Sequence, residues 1–135
     1  MLAFEATARF LSFLLVAAPP PGGQGGAAEL ERGEKLFRAG DLAGALEAFD
    51  RAGRADPKDP RGPYLRGVVL EKKNDLPGAE KAYREALGRD GKLAPAHNNL
   101  GAIYLGRGQL ELAEKAIQAA LVADPKSASA AFNLG

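Results

Sequence analysis

The chain has 135 residues, with 18 Lys and Arg against 17 Asp and Glu, one His, and neither Cys nor Trp. A formal net charge of +1, with acids and bases interspersed, creates no basic field to hold a phosphate backbone, which excludes nucleic acid as an expected partner. Without Cys there is no disulfide framework and no thiolate metal site, and cysteine usage says nothing of the redox compartment.

Residues 1–18, MLAFEATARFLSFLLVAA, differ in character from everything after them. Arg9 precedes an apolar run over residues 10–18, broken only by Ser12 and followed at once by Pro19, Pro20 and Pro21. This pattern reads as a secretory signal peptide. It is too short to span a bilayer, which needs about 20 apolar residues. Glu5 dilutes the positive charge and Pro19 would follow a cut after Ala18, so a short amphipathic or disordered tail and an uncleaved anchor stand as the competing readings. The signal reading expects export to a bacterial periplasm or the outside, with the membrane touched only through this segment; the tail reading expects a cytoplasmic protein. Residues 19–26, PPPGGQGG, are expected to form a linker, part polyproline and part free coil. No strand precedes this stretch and no Gly-Lys-Ser/Thr follows it, so it is not a phosphate-binding loop.

From residue 27 the chain repeats every 34 residues. Gly33, Gly67, Gly101 and Gly135 share one column; Ala45, Ala79 and Ala113 share a second; Ala52, Ala86 and Ala120 a third; Ala28, Gly62, Ala96 and Ala130 a fourth. A fixed period of this length predicts a stack of helix pairs, with small residues where helices cross closely and Leu36, Leu70, Tyr104, Phe49, Tyr83 and Ile117 filling the space around them. The first pair is expected over 28–55, with Glu29, Glu31 and Glu34 early and Lys35 and Arg38 late in its first helix, an arrangement that suits the helix dipole and a solvated terminal face. The second pair is expected over 61–89. Its closing GRDGKLAP carries Gly88 and Gly91 instead of a proline ending, which predicts the least rigid joint. The third pair, over 95–123, is the best formed. Within the pairs, Gly40-Asp41, Asn74-Asp75 and Gly108-Gln109 supply a residue tolerant of the left-handed conformation, followed twice by a capping Asp. Pro77 falls in a first helical turn, and Asp56-Pro57 and Asp124-Pro125 end second helices. Residues 128–135 open a fourth repeat without completing it, from which we expect a longer reading frame.

These columns resemble the tetratricopeptide repeat, whose pattern runs Leu-Gly-x2-Tyr, Ala-x3-Phe, Ala, Pro. The third repeat matches best, with Leu100, Gly101, Tyr104, Ala113, Ile117, Ala120 and Pro125, and with His97 where the family often has Trp. The first keeps Gly33, Leu36, Ala45, Phe49, Ala52 and Pro57; the second keeps Gly67, Leu70, Ala79, Tyr83 and Ala86. The resemblance implies an all-α, right-handed superhelical solenoid of antiparallel helix pairs over 27–135, with repeats at 26–59, 60–93 and 94–127 and a partial one at 128–135.

The residues offer no catalytic constellation. His97 has no second His or Cys to complete a metal site and no Ser or Cys partner for nucleophilic work, so it is expected to pack; Glu111 and Glu114 read as a solvated face, and Tyr64, Tyr83 and Tyr104 as packing residues. No cofactor and no metal is expected. The resemblance places function on the concave surface of the first helices: Ala27, Leu30, Glu31, Glu34 and Arg38; Arg61, Tyr64, Leu65, Val68 and Lys72; Pro95, Asn98, Asn99, Ala102 and Leu105. Chaperone-binding members grip a peptide's terminal carboxylate with Lys, Asn and Arg at places that here carry Leu30, Glu34, Leu65, Pro95 and Asn99, so that clamp is absent. Asn99 and Asn133 share one column and resemble the asparagine ladder of O-linked N-acetylglucosamine transferases, although Glu31 and Leu65 stand there in the earlier repeats. The expected function is a non-enzymatic protein-interaction scaffold that takes an extended peptide or partner helix through Tyr64, Val68, Asn98, Asn99 and Leu105. The alternatives are the substrate-recruiting arm of an enzyme such as a glycosyltransferase, with its catalytic domain beyond residue 135, and a structural spacer with no groove ligand.

Overall fold

In the computed structural model, which describes residues 24–126, six helices follow one another: α1 Gln24–Arg38, α2 Leu42–Ala55, α3 Arg61–Lys72, α4 Leu76–Arg89, α5 Ala94–Gly106 and α6 Leu110–Ala123. No strand occurs among the described residues. The expected signal segment 1–18, residues 19–23 of the expected linker and the opening of the fourth repeat at 128–135 lie outside them.

The small-residue columns mark the helix crossings. A Cβ on Gly33 would sit 2.5 Å from the Phe49 ring, one on Gly67 2.5 Å from the Tyr83 ring, and one on Gly101 2.7 Å from Ile117 Cγ1. Each first helix therefore lies directly on the large residue of its partner. Phe49, Tyr83 and Ile117 are 2%, 0% and 2% exposed, and burying each contributes roughly 1.5–3 kcal/mol. A second close approach joins successive pairs, where a Cβ on Gly62 of α3 would meet Gly53 N of α2 at 2.7 Å. Every helix packs on its neighbour in sequence, and α1 also touches α3. No comparable packing joins α2 to α4, nor α3 to α5, among the described residues, so the first two pairs turn their first helices toward each other.

The turns follow the expected chemistry. Gly40, Asn74 and Gly108 have φ of 85°, 62° and 72°, and the Asp41 and Asp75 carboxylates accept from Gly44 N and Gly78 N at 2.9 and 3.0 Å. α6 starts at Gln109 with no side-chain cap. Between pairs, Asp56, Asp90 and Asp124 each leave the helix in an extended conformation, and their side chains accept from Lys58 N, Lys92 N and Lys126 N.

One expectation needs correction. The linker does not run to residue 26: α1 begins at Gln24, and Gly26 lies within it against Ala52 O and Asp56 of α2. The joint at Gly91 has the same aspartate turn as the two proline joints, with the Asp90 carboxylate accepting from Lys92 N. His97 Nε2 reinforces it by donating to Gly91 O at 2.9 Å. The other joint is held differently, by Arg89 Nη1, which donates to the carbonyls of Gly53, Asp56 and Asp59 at 2.9, 3.2 and 3.1 Å.

Candidate functional site

The inner wall takes one stripe from each first helix. Residues i, i+4 and i+7 of a helix share a face, which aligns Leu30, Glu34 and Phe37 on α1, Tyr64, Val68 and Glu71 on α3, and Asn98, Ala102 and Leu105 on α5. Where α1 meets α3, these stripes enclose a cleft of about 230 Å³. Its apolar base is Phe37, Leu65, Val68 and Val69 over Phe49, and its rim is Glu34 and Arg38. Arg38 stays with Glu34, 3.8 Å from its carboxylate.

Between α3 and α5 the wall is polar. Asn99 Nδ2 donates to Tyr83 Oη at 3.1 Å and to Tyr64 Oη at 3.5 Å, and the two rings lie 5.7 Å apart at 41°. Tyr83 belongs to α4 and reaches this place because Gly67 leaves room for its ring. Its hydroxyl also interacts with the Glu71 carboxylate. One chain of polar groups thus runs from Glu71 through Tyr83 and Asn99 to Tyr64, tying three helices together. Burial pushes the hydroxyl pKa values of Tyr64 and Tyr83 up, and it pushes the Glu71 carboxyl up as well, with the Tyr83 hydroxyl offsetting part of that rise.

The predicted residues fall into two groups. Tyr64 and Asn99 meet in the polar chain, and Val68 lines the cleft beside it. Asn98 is half-buried and Leu105 is 38% exposed at the far end of the α5 stripe. Leu30, carried over as a groove position, is instead 6% exposed and packs in the core with Phe49 and Val69. Asn133, the second rung of the expected ladder, lies outside the described residues. Sequence reasoning passed over Tyr83 and Glu71. The signal for Tyr83 was its column: Phe49 and Ile117 have no polar tip there, and a buried tyrosine hydroxyl needs a partner.

A second polar cluster sits on the other side of α4 and α5. Arg84 Nη2 donates to Tyr104 Oη at 2.8 Å, and Glu80 pairs with both Arg84 and Arg107. The Arg107 hydrogen bond holds the Glu80 carboxyl below its ordinary pKa, with Arg84 adding to it. This cluster joins the second and third repeats. No group of three or more His, Cys, Asp or Glu able to hold a metal occurs among the described residues, and no described helix is long and apolar enough to cross a membrane.

Two profiles, each described as Tetratricopeptide repeat, match residues 30–96 and 94–127. No curated protein matches the chain in sequence. Among solved structures, the first TPR of Spaghetti (RPAP3) bound to the HSP90 peptide SRMEEVD is 24% identical, with a TM-score of 0.79 over 84% of this chain and 92% of that one. The second TPR of the same protein with the same peptide is 26% identical, with a TM-score of 0.70 over 75% and 94%. The second TPR domain of human RPAP3 in complex with the HSP70 peptide SGPTIEEVD is 25% identical, with a TM-score of 0.74 over 82% and 92%.

Proposed function

This chain belongs to the tetratricopeptide-repeat family, and from that premise we propose that it is a non-enzymatic interaction scaffold holding an extended segment of a partner protein along its inner wall. The observation that carries the reading is the wall itself. An apolar cleft at Phe37, Leu65 and Val68 adjoins two partly exposed hydrogen-bonding groups, Tyr64 and Asn99, with Asn99 held in place by the buried Tyr83 hydroxyl. Apolar side chains of a bound segment would seat in the first and its backbone would meet the second. Structural neighbours are recorded with peptides bound, which supports a peptide as the occupant.

The occupant differs from theirs in chemistry. The clamp positions hold a core leucine, Glu34, Leu65, Pro95 and Asn99, and none of these is a cation able to neutralise a terminal carboxylate. SRMEEVD is therefore expected not to bind. The test is selection from a random peptide library, followed by titration of a selected peptide into the wild type and into a Tyr64→Ala, Val68→Ser, Asn99→Ala variant. The variant should lose at least about tenfold in affinity, the effect expected of removing a central apolar anchor and two hydrogen-bonding groups. Val122→Ser, at a position 83% exposed on α6, should change nothing. Equal binding by both variants would sink the reading. The sequence of residues 1–18 supports export, and N-terminal sequencing of the mature protein from its native compartment tests that part: an intact Met1 would end it.

A further inference from the structure

Resting on the scaffold reading, we propose that the inner wall selects peptides carrying a Lys or Arg side chain two residues from a bulky apolar one, with Glu71 receiving the cation and the cleft at Val68 receiving the apolar group.

Glu71 differs from the other acids of the wall. Glu31 pairs with Lys35 at 3.0 Å and Glu34 with Arg38 at 3.8 Å, whereas no Lys or Arg forms an ion pair with Glu71 among the described residues. The Tyr83 hydroxyl faces it from α4, and Lys72, its neighbour in sequence, is exposed. Its charge is half-buried and balanced by one neutral donor. Carboxylates withdrawn from water without a cation are unfavourable, so a ligand cation arriving there relieves a cost that the free protein carries. The Tyr83–Asn99–Tyr64 chain braces the donor that orients it.

The spacing follows from geometry. Val68 and Glu71 lie three residues apart on one side of α3, an axial advance of about 4.5 Å, and the flexible stem of a Lys or Arg side chain spans the difference from the peptide spacing. On an extended peptide, side chains two residues apart point the same way and are separated by about 6.6–6.8 Å. A peptide reading apolar-x-basic along the groove thus meets both features at once. Charge complementarity excludes the acidic alternative, because a peptide carboxylate placed there would face Glu71 across a half-buried site.

The experiment uses three peptides blocked at both ends, so that a terminal amine cannot supply the cation: GSFSRSG, GSFSQSG and GSFSESG, titrated by NMR into the full chain. GSFSRSG should bind about fivefold more tightly than GSFSQSG and GSFSESG most weakly, the scale of one partly desolvated charge pair. Glu71→Gln should remove the preference of the first over the second. Glu71→Lys should reverse the order in favour of GSFSESG. Circular dichroism shows whether each variant is folded. The proposal is overturned if the three peptides bind alike, if none binds, or if Glu71→Gln weakens all three equally. The library selection distinguishes the two levels: neutral or acidic peptides that depend on Tyr64, Val68 and Asn99 would leave the scaffold standing and remove the basic preference.

Discussion

Gly67→Ala tests the packing logic that seats Tyr83 behind the groove wall. The added Cβ would stand 2.5, 2.7 and 3.0 Å from Cε1, Cδ1 and Cζ of a ring that is fully buried. Relieving such an overlap in a packed core costs about 1–3 kcal/mol. Displacing the ring also weakens the Asn99–Tyr83 hydrogen bond, about 1 kcal/mol. Replacing a helical glycine by alanine returns about 0.5–1 kcal/mol. The balance is a loss of about 1–3 kcal/mol, and at about 4–8 °C per kcal/mol for a domain of this size the melting temperature should fall on the order of 10 °C. Gly88→Ala is the matched control, since nothing lies within 4 Å of its added Cβ and the same exchange should raise the melting temperature by a few degrees. Gly101→Ala should cost less than Gly67→Ala, because the nearest obstacle is one atom of a flexible isoleucine rather than the edge of a ring. Thermal denaturation of the three variants reads the order directly. Equal shifts, or a stabilised Gly67→Ala protein, would refute the account of the crossings.

Arg89→Met keeps most of the aliphatic stem and removes the guanidinium that caps the Gly53, Asp56 and Asp59 carbonyls; a loss of about 2 kcal/mol is expected, with faster amide exchange over residues 53–61. Asp75→Ala should cost about 1 kcal/mol by urea denaturation, whereas Gln109→Ala, at a helix start with no side-chain cap, should be within experimental error of zero. Glu71→Gln should stabilise the protein near neutral pH. The carboxyl has a folded pKa raised above its unfolded value, so its contribution to stability is present below the ordinary glutamate value of 4.5 and is lost as pH rises through the folded value. The melting-temperature difference between variant and wild type should therefore grow with pH and vanish in acid; a difference independent of pH would contradict burial as the cause.

The period of 34 residues carried nearly all of the fold, because each column corresponds to a contact that every repeat must make: Gly67 on Tyr83, Gly62 on Gly53, Asp75 on Gly78. Features that do not repeat were harder to read. Arg89 has alanines at the equivalent places, Ala55 and Ala123, and nothing in its sequence surroundings marks it as a cap for a helix 30 to 36 residues earlier. His97 was recognisable as a repeat position but not as the donor to Gly91, since that bond depends on how closely the joint folds back on α5. Within the groove, Tyr64, Val68 and Asn99 were accessible from their columns. Glu71 was not, because its character comes from the partners it lacks, and only the positions of every Lys and Arg around it reveal that.

The central claim is that ligands are held on the inner wall of α1, α3 and α5. Amide chemical-shift mapping with a library-selected peptide tests it most directly. The account predicts perturbations concentrated at Tyr64, Val68, Glu71, Asn98, Asn99 and Leu105, with the exposed faces of α2, α4 and α6 unchanged. Perturbations concentrated instead on the outer helices, around Leu112 and Val122, would contradict it.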